Sequence, residues 1–189
     1  MKLLEQSIEI AERAHRGEYR RDGTLYIEHP LRVMKALAAA GFSEEVQSVG
    51  VMHDVFENSE EFTFDRLLQE GFPADVVKAL RLLTKQRLSS EQKSLLTPEE
   101  KARRYQLYIQ KLIKSANTPA GQMAMPVKIE DIRDNYDNKN KQPLYDWALL
   151  QLGACSLNSS SLSECSEPGL LVLRINDYWF IVVCYHYLA

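Results

Sequence analysis

Two ionisable residues stand side by side in an apolar run, Val51-Met52-His53-Asp54-Val55-Phe56, and a third, Glu57, follows at once. On a helix Glu57 lies three residues from Asp54 and four from His53, so the three polar heads share a face. Val51, Met52, Val55 and Phe56 supply the buried side. A core helix rarely carries three ionisable groups on one turn unless a site requires them, because an unpaired buried charge is costly. Two further candidates, His29 before Pro30 and Asp131 in Val127-Lys128-Ile129-Glu130-Asp131, lie on or beside apolar helical stretches. Two imidazoles and two carboxylates make a mixed nitrogen and oxygen donor set, suited to a borderline divalent ion with positions open for water or substrate. No cysteine lies near these segments, so thiolate selection is excluded. Manganese is the first choice, and iron, cobalt, nickel and zinc stay open on residue type. A packing role for His29 and a solvated one for Asp131, beside Arg133, also stay open at this point.

The elements that must position these residues are helices. Leu4, Ile8, Ala11 and His15 mark a first helix from Leu3 to about Arg16, which Gly17 can stop. Asp22-Gly23 is a turn signal before Tyr26-Ile27-Glu28-His29-Pro30, and Pro30 starts a helix that runs to Gly41. Ser43 caps the next, Glu44 to about Glu57, which carries the histidine–aspartate pair. Thr63 caps a short helix ending near Gly71, and Pro73 begins another with Val76, Val77, Leu80 and Leu83 inward. Gln86 to Leu96 has no apolar period and reads as a mobile loop. Thr97-Pro98-Glu99-Glu100 combines a cap, a first-turn proline and a capping-box glutamate; its helix runs to about Ser115 with Tyr105, Tyr108, Ile109 and Leu112 inward. Helices over Gly121 to about Asp137 and Leu144 to Leu152 follow. Beyond Gly153 the chain changes character: residues 156–166 are serine-rich and linker-like. Leu170–Leu173 and Tyr178–Val183 suit either a small hairpin or an apolar tail.

With 189 residues, 45% hydrophobic and 26% charged, the chain has the composition of a soluble globular protein of about one domain. A net charge of −3 argues against a broad basic field for nucleic acid, though not against a local cluster for small anions. Three cysteines, all late in the chain and without zinc-type spacing, read as neither a disulfide framework nor a zinc knuckle. Glu5, Glu9 and Glu12 interrupt the first apolar run, so no signal peptide is expected. Arg174, Asn176, Asp177 and His186 make a membrane span unexpected in the tail. A cytoplasmic protein is the simplest expectation.

Six motifs occur in order: Ala14-His15-x-Gly17, Arg20-Arg21-x-Gly23, Tyr26-Ile27-x-His29-Pro30, His53-Asp54-Val55-Phe56-Glu57, Leu83-Thr84-Lys85 and Val127-Lys128-Ile129-x-Asp131. From about Leu3 to Leu152 the chain resembles the HD-domain hydrolases of the RelA/SpoT type, in particular small stand-alone members without a synthetase. The resemblance implies an all-α HD-domain bundle over residues 1–152, with one manganese ion at its centre, and a tail over 153–189. By motif position the ligands would be His29, His53, Asp54 and Asp131. The implied substrate is a small nucleotide of the (p)ppGpp type, losing pyrophosphate from its 3′ position. The metal would hold a phosphate oxygen and lower the pKa of a water. Glu57 would orient that water or take its proton, and Arg20 and Arg21 would clamp phosphate. Lys85, Asp134 and Asn135 are further candidates for substrate contact.

One departure stands beside Glu57. Larger relatives carry a Glu-Asp pair where this chain has Glu57-Asn58, and an amide cannot accept a proton at neutral pH. Asn58 therefore leaves two alternatives: hydrolysis of a different nucleotide or an NADPH-like phosphate, or a module that binds nucleotide without hydrolysing it.

Overall fold

The computed structural model describes residues 2–58, 61–86, 88–137, 144–153, 170–175 and 178–183. The serine-rich stretch 156–166, the three cysteines, His186 and the Asn58 side chain lie outside the described residues. Ten helices are described: α1 (Leu3–Ala14), α2 (Glu28–Ala39), α3 (Glu44–Met52), α4 (Val55–Asn58), α5 (Phe64–Gln69), α6 (Ala74–Leu83), α7 (Ser90–Leu95), α8 (Pro98–Lys114), α9 (Pro119–Asp137) and α10 (Tyr145–Gln151). Strands β1 (Leu170–Ile175) and β2 (Tyr178–Val183) pair antiparallel, in a register from Leu170 opposite Val183 to Ile175 opposite Tyr178. The hairpin, not an unpaired tail, is therefore the form the last segment takes. The chain divides into two compact units, Met1–Lys141 and Gln142–Ala189. Among the described residues no helix is long and apolar enough to cross a membrane.

In the first unit α3 is the central element, packed on α1, α2, α6 and α9. Its Val49, Val51 and Met52 are fully buried, as are Val33 and Leu37 of α2, Val76 and Leu80 of α6, and Val127 and Ile132 of α9. Gly50 brings α2 close: a Cβ there would stand 2.5 Å from the Leu37 side chain. The turn from α8 into α9 is tighter still. A Cβ on Gly121 would lie 1.8 Å from the Ser115 carbonyl oxygen, so only glycine fits. Thr118 caps α9, its hydroxyl accepting from the Gly121 N–H at 3.0 Å, with Pro119 in the first turn.

Two elements depart from the sequence expectation. The helix expected over Glu44–Glu57 breaks at His53-Asp54. The His53 Nδ1–H donates to the Gly50 carbonyl at 2.8 Å, the acceptor that the Asp54 N–H would use in a continuing helix. The chain restarts as α4 through an N–H of Glu57 bonded to the Asp54 carbonyl at 3.1 Å. Within 86–96, expected as a loop, α7 forms because Ser89 and Gln92 make a reciprocal capping box. None of its residues is buried, which is why no apolar period announces it.

Candidate metal centre

Three helices distant in sequence converge on one point. His29 comes from the first turn of α2, His53 from the C-terminal end of α3, and Asp131 from the middle of α9. One donor atom from each lies within 4.8 Å of the other two, and all three residues are buried. His29 Nε2 is 3.2 Å from Asp131 Oδ1, and His53 Nε2 is 3.7 Å from the same oxygen. Asp54 Oδ2 stands 3.4 Å from His53 Nε2 and 3.8 Å from His29 Nε2. Ligands about 2.1 Å from a common ion stand roughly 3 to 3.5 Å apart, so these separations suit one ion. The donor set fits as well, because His53 Nε2 is buried without a hydrogen-bond partner while its Nδ1 is committed to Gly50. A buried nitrogen that faces two carboxylates with no hydrogen-bond partner marks a position that a cation shared with them would fill.

Each of these side chains is held from behind. Asp134 Oδ2 accepts from His29 Nδ1 at 2.6 Å, and the Tyr26 hydroxyl donates to Asp54 at 2.8 Å. Lys128, only 3% exposed, places its ammonium 2.6 Å from Asp131 Oδ2, and the Asn135 amide donates to Oδ1 at 2.8 Å. The charges shift accordingly. Burial would raise the Asp131 pKa, but the Lys128 ammonium and both histidines hold it well below the usual carboxylate range. Burial would lower His53, yet Asp54 and Asp131 outweigh it and push it up to about 9. His29 is raised too, its hydrogen bonds to Asp131 and Asp134 overcoming the burial that would lower it. Asp134 is held at about 2: its burial is outweighed by hydrogen bonds from His29 and Arg32.

The other expected site residues divide. Arg20 enters the site on a tight loop, with Tyr19 bridged to Leu25, Asp22 accepting from Thr24, and Gly23 at φ +86°. Its guanidinium donates to Asn135 at 2.7 Å and reaches Asp134 at 3.5 Å. Arg21 is exposed on the same loop, so a two-arginine clamp is not what the structure brings together. Glu57 and Lys85 pair at 3.3 Å. Asp134 and Asn135, expected to contact substrate, are bonded to His29 and to Asp131 and Arg20 respectively. Tyr105 and Tyr108 carry Lys128 at 5.8 Å and 5.5 Å from their ring centres, and the Tyr108 hydroxyl donates to the Leu83 carbonyl. His15 packs on Tyr26 with ring centres 4.7 Å apart and pairs with Glu18. Sequence reasoning missed Tyr26, Arg32 and Lys128 as site residues. Arg32 did carry a signal, lying one turn after His29.

Comparison with known proteins gives the chain a family and a fold. Residues 7–116 match the family described as HD domain. A GTP pyrophosphokinase of Streptomyces coelicolor is 38% identical over 60 residues, 32% of this chain and 7% of that protein. Guanosine-3′,5′-bis(diphosphate) 3′-pyrophosphohydrolases of Borreliella burgdorferi and Spiroplasma citri are 38% and 33% identical over 58 and 85 residues. These matches cover 31% and 45% of this chain, but only 9% and 11% of those proteins. The shared segment is thus a small part of each relative. A solved structure described as a metazoan ortholog of SpoT that hydrolyzes ppGpp superposes with a TM-score of 0.59, over 82% of this chain and 83% of that one, at 22% identity. At that identity the likeness speaks for the all-helical fold.

Proposed function

The chain belongs to the HD-domain family, and on that premise we propose that it is a metal-dependent phosphohydrolase of nucleotides, with a (p)ppGpp-like substrate and manganese as the first choice of ion. The observation that carries this reading is the buried cluster of His29, His53 and Asp131, with Asp54 beside it and the Arg20 guanidinium within reach. A divalent ion bound there would polarise a phosphate oxygen and make a water more acidic. Glu57 is the candidate to orient and deprotonate that water, and Lys85 at 3.3 Å holds its carboxylate in place. Arg20, released from Asn135, would take a phosphate oxygen pair, since guanidinium and phosphate match in bidentate fashion. In the hydrolysis itself the water oxygen bonds to phosphorus and the 3′ oxygen leaves, taking up a proton as it becomes the alcohol. The test is to incubate the protein with manganese and (p)ppGpp and assay released pyrophosphate, beside a panel of nucleotides and NADPH assayed for phosphate. Turnover of none of them by a folded, metal-loaded protein would refute the reading.

Asn58, where larger relatives carry an acid, favours a second reading in which nucleotide is bound without turnover. Replacing Asn58 with Asp is expected to raise turnover at least tenfold if the missing acid is the limitation. An Asn58→Asp variant no faster than the parent removes that explanation.

A further inference from the structure

Asp134 and Arg32 form a second layer whose geometry points inward, to His29, rather than outward to substrate. His29 and Arg32 lie one turn apart on α2; Asp131 and Asp134 lie one turn apart on α9. The two helices pack together, and the pairs meet crosswise. His29 Nε2 faces Asp131 Oδ1 at 3.2 Å while its Nδ1 lies 2.6 Å from Asp134 Oδ2. Arg32 then grips the same carboxylate with a fork, Nε to Oδ1 at 2.6 Å and Nη2 to Oδ2 at 3.1 Å. The Asp134 side chain is only 9% exposed.

We propose that Arg32, Asp134 and His29 are a positioning relay for the metal centre, in which Asp134 fixes the His29 ring and tautomer and Arg32 fixes Asp134. This rests on the metal-binding part of the function proposed above. A neutral imidazole carries one N–H. The Asp134 carboxylate accepts from Nδ1–H, so the proton stays on Nδ1 and the Nε2 lone pair is left for an ion. A carboxylate behind the ring also makes Nε2 a better donor. Arg32 occupies both oxygens in the plane of its guanidinium, which stops the carboxylate from rotating away from the ring. Arg20, 3.5 Å from Asp134 and bonded to Asn135, ties the phosphate-binding loop to the same layer. Asp134 is thus a residue that acts through His29, in contrast to the substrate contact its spacing from Asp131 suggests.

The experiment titrates full-length protein with Mn2+ alone, with binding followed by calorimetry, for the parent and for Asp134→Ala, Asp134→Asn and Arg32→Met. The expected result is a roughly 10- to 100-fold weaker Mn2+ affinity for Asp134→Ala, as removal of such outer partners does. Asp134→Asn keeps an acceptor for Nδ1–H and should lose less, and Arg32→Met should fall between Asn and parent. An Asp134→Ala protein that binds Mn2+ as tightly as the parent overturns the relay. Should that variant fail to fold, the parent loaded with diamagnetic Zn2+ decides by nitrogen-15 NMR: a slowly exchanging proton on His29 Nδ1 supports the relay, and a proton on Nε2 overturns it. None of these readouts uses turnover. A protein that binds Mn2+ with the relay's signature yet hydrolyses nothing would refute the hydrolase alone, and one whose parent form binds neither ion would refute both.

Discussion

At the scale of single residues, the candidate centre is a set of donors held in place by further side chains. Nδ1 of each histidine is bonded, to Asp134 and to the Gly50 carbonyl, and Asp131 is held by Lys128 and Asn135. Lys128 is the costliest of these partners, a buried ammonium whose charge is offset by Asp131 and by the faces of Tyr105 and Tyr108. Replacing Lys128 with Met leaves Asp131 and Asp54 crowded in the core without that cation. In EDTA the variant should lose about 3–5 kcal/mol, the scale for breaking a buried pair. A divalent ion replaces the missing charge, so Mn2+ should restore most of it; urea unfolding with and without Mn2+ measures both. Equal losses in the two conditions would mean that Lys128 does not share a charge balance with the metal. The donor types themselves were visible in the sequence, although a packing role for His29 and a solvated one for Asp131 stayed open there. Lys128 was not, because a lysine between Val127 and Ile129 has the appearance of an ordinary solvated position, and only tertiary packing turns it inward.

Elements were read well wherever local chemistry sets them. Thr97-Pro98 and its capping box start α8 where expected, and the inward positions of α6, Val76, Val77, Leu80 and Leu83, are all buried. The break after Met52 was illegible because its cause is a side chain, His53, bonding back to its own helix. The close approach of α2 and α3 was equally hidden: Gly50 in a core helix gives no sign of the Leu37 side chain against it. That approach sets the spacing of His29 and His53. Gly50→Ala forces the flexible Leu37 tip aside, at a cost of about 1–3 kcal/mol by overpacking. It should also weaken Mn2+ binding, although Gly50 touches no metal. In a double-mutant cycle with Leu37→Ala the two changes should couple favourably, because the second makes room for the first; additive losses would show that Gly50 does not set the gap. Gly121→Ala offers no such relief, since the atom it meets is the Ser115 backbone oxygen, and it should prevent the α8–α9 turn from forming. At the other extreme α7, with no buried residue, should exchange its amides at rates near those of an open chain while α3 stays protected. Protection of α7 equal to that of α3 would contradict its reading as a locally capped turn.

For the first unit as a whole, the consequence of joining residues 29, 53, 54 and 131 is that folding, protonation and metal binding are linked. Without metal, the raised pKa values of His29 and His53 mean that the folded protein holds protons which the unfolded chain releases. A group raised on folding contributes its stability fully below its unfolded value, near 6.5, and loses it as pH rises through the folded value, about 9 for His53. Stability in EDTA should therefore fall between about pH 6.5 and 9. A metal ion needs both imidazoles neutral, so its binding expels those protons and strengthens over the same window. With Mn2+ at about 100 times its Kd, the stabilisation should be roughly 2.7 kcal/mol, seen as a higher Tm. The two melting curves should diverge steadily as pH rises. His53→Ala removes its own share of the EDTA slope, leaving that of His29, and abolishes the Mn2+ shift. If the EDTA profile is flat or rises from pH 6.5 to 9, the buried histidines are neutral in the metal-free fold, and the charge balance among Asp54, Asp131 and Lys128 must close without them.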